Sequence, residues 1–170
     1  MTPRFIVCIL AGAVLLSLII VPTNAQQDPG GCGPIEAKHK TTIHTDKRPT
    51  PNPAPGKALI YLIRTGFPRA FVQAKLAANG RWIGVLPRGK YYTFAEIEPG
   101  VVRLCANIGA NPEPRPDGFA FLTARAGESH YFEVQFITGF RMGVALAEVD
   151  ETRGTALLAE SRFVTFEADR

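Results

Sequence analysis

A hydrophobic alternation with a period of two residues, running from Ala58 to Val149, constrains the fold of this chain more than any other feature. Side chains of a β-strand point alternately to the two faces of a sheet, so this period is typical of strands that bury one face. Strand-length segments recur at short, regular spacing between turns. The sequence predicts an all-β domain over residues 57–170, either an antiparallel β-sandwich or a partly open barrel of about seven strands.

The dipeptide Asn79-Gly80 predicts a tight hairpin, because both residues accept positive φ. Pairing outward from this turn gives the register: Ala78 faces Arg81, Ala77 faces Trp82, Leu76 faces Ile83 and Ala74 faces Val85. The apolar residues of both strands then share one face.

A second hairpin turn is expected around Arg88-Gly89, and it places Tyr92 and Phe94 on the inner face. The outer face then carries four side chains together: Lys75, Trp82, Tyr91 and Thr93. Aromatic rings beside a cation suit a binding contact, so we predict a partner-binding face here. The alternative is that the helix, the N-terminal tail or the second layer covers it.

The C-terminal region predicts one short helix. Asp150 is a suitable N-cap for a helix from Glu151 to about Glu160. Gly154 costs such a helix about 1 kcal/mol relative to alanine, so the helix needs packing to persist. Residues from Arg162 to Ala168 are expected to form a final strand or a frayed end.

Residues 1–25 have the pattern of a secretory signal peptide. Arg4 precedes the apolar run Phe5–Val21, and Thr23-Asn24-Ala25 offers small residues for cleavage. We therefore expect a periplasmic or secreted protein. The alternative is an inner-membrane protein held by an uncleaved N-terminal anchor, because the run is close to the length of a membrane span.

Two cysteines, Cys32 and Cys105, remain after the signal peptide. An even pair in an oxidising compartment indicates a disulfide, the alternative being two unrelated thiols. Cys105 shares its strand face with Arg103 and Asn107, so it should point away from the core and be reachable from the tail. Neither cysteine directly follows the apolar run, so no lipid anchor is predicted.

Residues 26–56 are predicted to be a polar, Pro-rich flexible tail. The four alternating prolines between Arg48 and Gly56 should be extended and polyproline-like. The net charge of +4 comes without a dense Lys/Arg cluster, so nucleic acid is not an expected partner.

No motif in the sequence indicates a cofactor, a metal or a catalytic site. Ser129 and His130 are adjacent in a strand and point to opposite faces, so they do not make a nucleophile and base. His39 and His44 lie five apart in the predicted tail, and spacing alone does not build a metal site.

The segment from Pro55 to about Ser161 resembles a bacterial domain of unknown function, family twenty-eight forty-six, and related small modules named for a Pro-Glu-Gly-Ala signature. The motifs that carry the likeness are Pro55–Tyr61, Asn79-Gly80 with Ile83–Leu86, Gly89–Tyr91, Glu98-Pro99-Gly100, and Ala126-Gly127-Glu128 followed by Tyr131. The resemblance implies a β-sandwich of the cell envelope. It brings no established activity and no catalytic residues.

The sequence is best interpreted as an exported, non-enzymatic envelope module that binds an unknown envelope protein or glycan, with no cofactor. One alternative is a membrane-anchored structural domain with a Pro-rich spacer, which would contact the membrane only through a retained N-terminal segment. Another is a hydrolase with a dispersed site, which a deep polar pocket holding His130 with two acidic groups would favour.

The signal peptide gives a direct prediction. We expect the intact mass of the exported protein to correspond to a chain that begins at Gln26. A species that still begins at Met1, or one that carries diacylglycerol on Cys32, would contradict the predicted cleavage.

Overall fold

The computed structural model describes residues 32, 39–66, 72–108, 118–137 and 143–168. Within these ranges the chain forms ten strands and one helix. The elements are β1 (His39–His44), β2 (Ala58–Thr65), β3 (Ala74–Ala78), β4 (Arg81–Leu86), β5 (Lys90–Ile97), β6 (Gly100–Ile108), β7 (Gly118–Ala124), β8 (Ser129–Ile137), β9 (Gly143–Val149), α1 (Glu151–Ala159) and β10 (Arg162–Ala168). The predicted signal peptide, residues 1–25, lies outside the described residues.

The strands form two sheets, which confirms the prediction of an all-β sandwich with a short C-terminal helix. The large sheet has six strands in the order β1-β10-β5-β2-β8-β9, and the small sheet has four in the order β4-β3-β6-β7. Two pairs in the large sheet, β10–β5 and β2–β8, are parallel, so the sheet is mixed instead of antiparallel. β2 and β8 both run opposite to β5, so they are parallel to each other. β9 runs opposite to β8, and β10, which follows α1, runs in the direction of β9 and β5.

The main core lies between the two sheets. Its members are apolar residues from alternate positions of both sheets, among them Ile60, Leu62, Leu76, Leu104 and Phe132. Ala58 to Ile63 of β2 are all buried, as expected for a central strand covered on both faces.

A second apolar cluster lies on the outer face of the large sheet, under α1. Its buried members are Leu59, Tyr61, Ile63, Tyr92, Tyr131, Leu158 and Phe163. The helix begins as predicted, with the Asp150 carboxylate accepting a hydrogen bond of 2.8 Å from the backbone N–H of Arg153. Gly154 lets the helix approach closely, because a Cβ there would lie 2.4 Å from Cγ of Tyr131.

Residues 39–56, which the sequence assigned to a flexible tail, are part of the domain. β1 pairs antiparallel with β10 at the edge of the large sheet. Beyond it, the carbonyl oxygens of Pro49 and Pro51 accept hydrogen bonds from the hydroxyls of Tyr92 and Tyr61, at 3.1 and 2.8 Å. The segment lacks apolar periodicity because it binds through backbone carbonyl groups, which a hydrophobic pattern does not reveal.

The hairpin at Asn79-Gly80 is confirmed, with φ of 48° and 77° at the two turn residues. Ala78 pairs with Arg81 and Ala77 with Trp82, as predicted. A β-bulge then shifts the register, so that Leu76 pairs with Gly84 instead of Ile83. The expected pairing of Ala74 with Val85 is therefore wrong by one residue, and Ala74 faces Leu86.

The expected second hairpin at Arg88-Gly89 is not formed, because β5 leaves the small sheet and pairs with β2 and β10. This crossing reverses the predicted faces of β5. Tyr91 is buried in the main core between the sheets, whereas Tyr92 belongs to the second apolar cluster, under α1.

Arg64 makes hydrogen bonds to the backbone at both crossings between the sheets at this end of the molecule, from β2 to β3 and from β4 to β5. Its side chain is fully buried and donates to the carbonyl oxygens of Val72 at 2.7 Å and Pro87 at 2.9 Å. Val72 precedes β3 and Pro87 follows β4, so one guanidinium ties the entry to the small sheet to the exit from it. Burial, with the nearby charge of Arg88, lowers the pKa of Arg64 to about 10, which leaves it protonated at neutral pH.

The contact between the helix and Tyr131 predicts that alanine at position 154 destabilises the protein. Alanine normally stabilises a helix relative to glycine by about 1 kcal/mol. At Gly154 we expect the opposite, a loss of about 1–3 kcal/mol in the free energy of unfolding, because the added Cβ meets the Tyr131 ring. Chemical denaturation of wild type and Gly154→Ala measures this difference.

Thr152→Ala is the matched control, since Thr152 lies on the exposed side of the same helix. We expect it to change the free energy of unfolding by less than about 0.5 kcal/mol. Stabilisation by Gly154→Ala would show that the helix does not lie against Tyr131.

Candidate binding face

The outer face of the small sheet, which we call the aromatic face, combines exposed aromatic, aliphatic and cationic side chains. Alternate residues of β3, β6 and β7 fill the main core, so their neighbours point outward. The outward residues that matter here are Lys75 and Ala77 on β3, Trp82 on β4, Val101, Arg103 and Cys105 on β6, and Phe119 and Phe121 on β7. Strand pairing places Ala77 beside Trp82, Cys105 beside Ala77, and Phe119 beside Cys105.

A disulfide between Cys32 and Cys105 lies at the centre of the aromatic face, as the sequence predicted. The two Cα atoms are 5.3 Å apart, and the bond spans 73 residues of sequence. Both cysteines are buried in a small cluster with Ala77, against which Trp82 packs. The bond fixes residue 32 to the middle of the small sheet.

Trp82 is only partly exposed, because it packs against the disulfide cluster. The ammonium group of Lys75 also lies 6.0 Å from the centroid of its ring. This tryptophan therefore supports the face at one side and does not present an open ring to solvent.

Three apolar side chains at the other side of the face are strongly exposed. Val101 is 74% exposed, Phe121 is 69% exposed and Phe119 is 41% exposed. Val101 and Phe121 are diagonal neighbours, since Arg103 pairs with Phe121 and Val101 with Thr123. Contiguous apolar groups at the surface of a folded domain mark a contact site more often than isolated ones do.

The charges on this sheet are of one sign. Its four strands contain Lys75, Arg81 and Arg103 and no aspartate or glutamate. The guanidinium carbon of Arg103 lies 4.7 Å from the centroid of the Phe119 ring, a cation–π distance. The face thus presents hydrocarbon and positive charge side by side.

The predicted binding face of Lys75, Trp82, Tyr91 and Thr93 is divided between the two sheets. Lys75 and Trp82 do lie together on the aromatic face. Tyr91 and Thr93 are buried on β5 of the large sheet, where the hydroxyl of Tyr91 accepts a hydrogen bond of 2.8 Å from Arg162. The crossing between β4 and β5 is the reason, because it moves these two residues into the interior.

Sequence reasoning did not single out Val101, Phe119 or Phe121. Residues from Phe119 to Leu122 are apolar at most positions, so alternation does not tell which ones face outward. Pairing β7 against β6 would have found them, because it places Phe119 and Phe121 beside the outward residues Cys105 and Arg103.

His130 lies between two carboxylates at the opposite end of the sandwich from Arg64. Its Nδ1 is 3.0 Å from Oε1 of Glu148, and its Nε2 is 3.5 Å from Oε2 of Glu128. Both carboxylates are well exposed, and Ser129 points to the other face of the strand. The geometry of this cluster does not place a nucleophile beside the imidazole.

A buried carboxylate, Glu133, links β8 to the helix. It accepts hydrogen bonds from Thr65 at 2.9 Å and Arg153 at 2.8 Å. Burial alone would raise the pKa of Glu133, but the hydrogen bonds from Arg153, Thr65 and Gln135 and the charge of Arg153 hold it below its usual range. Because these donors satisfy the hydrogen-bonding capacity of the Glu133 carboxylate, its role is structural.

The two histidines of β1 have structural partners. Nε2 of His44 lies 3.0 Å from the hydroxyl of Thr165, and its ring stacks on Phe163. His39 packs against the ring of Phe166. Among the described residues, no group of three or more His, Cys, Asp or Glu side chains is arranged to hold a metal ion.

No protein-family model, curated protein or solved structure matches this chain. In the described ranges no helix is long and apolar enough to cross a membrane.

The disulfide predicts a measurable stabilisation. Replacing both cysteines (Cys32→Ser with Cys105→Ser) should lower the free energy of unfolding by about 3–4 kcal/mol, because the bond closes a long loop in the unfolded chain. Urea unfolding followed by far-ultraviolet circular dichroism measures the loss. Thiol titration of the denatured, non-reduced protein that lacks residues 1–25 should find no free thiol, and two free thiols would contradict the pairing.

Proposed function

We propose that this protein is an exported, non-enzymatic module of the cell envelope that binds its partner through the aromatic face. The observation that carries the proposal is the exposed group of Val101, Phe119 and Phe121 beside Arg103 on a sheet whose strands contain no carboxylate. Export is supported by the signal-like N-terminus and by the disulfide, which is compatible with an oxidising compartment.

The other large faces of the domain are covered. The outer face of the large sheet is covered by α1 and by the segment around Pro49 and Pro51, which buries Tyr61 and Tyr92. The inner faces of both sheets form the main core. Of the five large apolar side chains that are exposed in the described ranges, Val101, Phe119 and Phe121 lie together on the aromatic face, whereas Ile43 and Ile137 lie singly on β1 and β8 of the large sheet.

A binding role fits the chemistry better than an enzymatic one. The His130 cluster is the strongest candidate for catalysis, and its two carboxylates are exposed to solvent instead of enclosed in a polar pocket. Catalytic groups gain most of their effect where water is excluded. The resemblance to an envelope domain of unknown function agrees with a binding role and remains a prediction.

Binding of the exported protein to isolated envelopes of the exporting cell tests the proposal. We expect wild type to sediment with the envelopes and Phe121→Ser to lose about tenfold in affinity, because its exposed ring supplies apolar contact area. Trp82→Ala is a poorer choice, since it also disturbs packing on the disulfide.

Ile43→Ser is the matched control, because Ile43 is an exposed apolar residue on β1, at the edge of the large sheet. It should bind like wild type. Equal binding of wild type, Phe121→Ser and Arg103→Glu would remove the aromatic face as the binding surface. Circular dichroism of each variant verifies that the fold is retained.

A further inference from the structure

We propose that the partner of the aromatic face is the surface of a lipid bilayer that contains anionic lipid. This inference rests on the proposed function and names the chemistry of its partner. Three features of the face support it: its exposed hydrocarbon, its charge and the place where the chain is attached to it.

The exposed side chains are of the kind that enter the interfacial region of a bilayer. Val101, Phe119 and Phe121 carry no polar atoms in their side chains, and two of them are more than two-thirds exposed. Side chains of this kind partition into the boundary between headgroups and acyl chains.

The charge of the face is complementary to anionic headgroups. Lys75 and Arg103 lie on the face and Arg81 lies at its rim, at the end of the Asn79-Gly80 hairpin. Among the described acidic residues, Glu98 precedes β6 and Glu128 precedes β8, and they are ion-paired with Lys57 and Arg125. Positive charge close to a membrane surface adds to the attraction of the apolar groups.

The disulfide attaches the N-terminal part of the chain to this same face. Cys32 is held at its centre. Only residues 22–31 separate Cys32 from the end of the apolar run Phe5–Val21. A linker of that length spans at most about 35 Å when fully extended. In the alternative in which the apolar run is kept as an anchor, the disulfide therefore keeps the aromatic face within about 35 Å of the membrane.

Vesicle flotation tests the inference with the exported protein as purified. The vesicles contain equal parts of phosphatidylglycerol and phosphatidylcholine, and vesicles of phosphatidylcholine alone serve for comparison. We expect binding to the anionic vesicles at low salt, with weaker binding at high salt because salt screens the charges. Binding to phosphatidylcholine alone should be much weaker.

Two substitutions on the face and two controls identify the surface involved. Arg103→Glu and Phe121→Ser should each lower the partition onto anionic vesicles by about tenfold. Lys47→Glu and Ile43→Ser reverse a charge and remove an apolar side chain elsewhere on the surface, and each should change the partition by no more than about twofold. Circular dichroism and thermal unfolding of all four variants establish that they fold.

Absence of wild-type binding to anionic vesicles, or equal losses for the face variants and the controls, would overturn the inference. If vesicle binding fails while envelope binding still depends on Phe121, the partner is a protein or a glycan and the proposed function stands. If neither assay depends on Phe121 or Arg103, the proposed function fails as well.

Discussion

The buried guanidinium of Arg64 is the interaction on which the two-sheet architecture depends. It projects from the central strand β2 into one end of the core and binds the carbonyl oxygens of Val72, Leu86 and Pro87. These carbonyls lie at the two crossings between the sheets at this end of the molecule, from β2 to β3 and from β4 to β5. Backbone groups that leave one sheet without entering another need a partner when they are buried, and Arg64 supplies it. Its contact with the ring of Phe136, 4.3 Å from the guanidinium carbon, adds a cation–π interaction.

The crossings decide which surface is available for binding. Because β5 joins the large sheet, both faces of β5 are covered. Tyr91 lies in the main core, and Tyr92 lies in the second apolar cluster under α1. Helix α1 can approach the large sheet closely only because Gly154 lacks a side chain. The small sheet receives no such cover over Val101, Phe119 and Phe121. Three of the five large apolar side chains that are exposed in the described part of the chain thus lie on this side.

The disulfide fixes where residue 32 lies relative to the two sheets. It binds residue 32 at the centre of the small sheet, while β1, only a few residues later in the sequence, pairs at the edge of the large sheet. Residue 32 therefore lies on the side of the domain that carries Val101, Phe119, Phe121 and the cations Lys75 and Arg103.

The sequence by itself determined the features that depend on local backbone chemistry. The Asn79-Gly80 turn, the Asp150 N-cap and the outward direction of Cys105 could all be predicted, because each follows from the conformational preference or periodicity of a few neighbouring residues. The all-β fold class followed from the repeated alternation, which fitted a sandwich and a partly open barrel equally. These are short-range constraints, and they hold whatever the rest of the chain does.

Only the tertiary structure decided which strands became neighbours. The bulge at Leu76 changed the pairing of β3 with β4. The departure of β5 to the large sheet placed Tyr91 and Thr93 inside, although apolar and polar residues alternate along β5 as before. The segment from Arg48 to Pro51 joined the domain through carbonyl groups and the Arg48 side chain, which donates to the carbonyl of Ala159 at 2.7 Å. Alternation with a period of two residues shows that a strand has two different faces. It does not show which sheet each face will pack against. That choice depends on contacts between residues far apart in the chain, so the candidate binding face could be located only after the sheets were assembled.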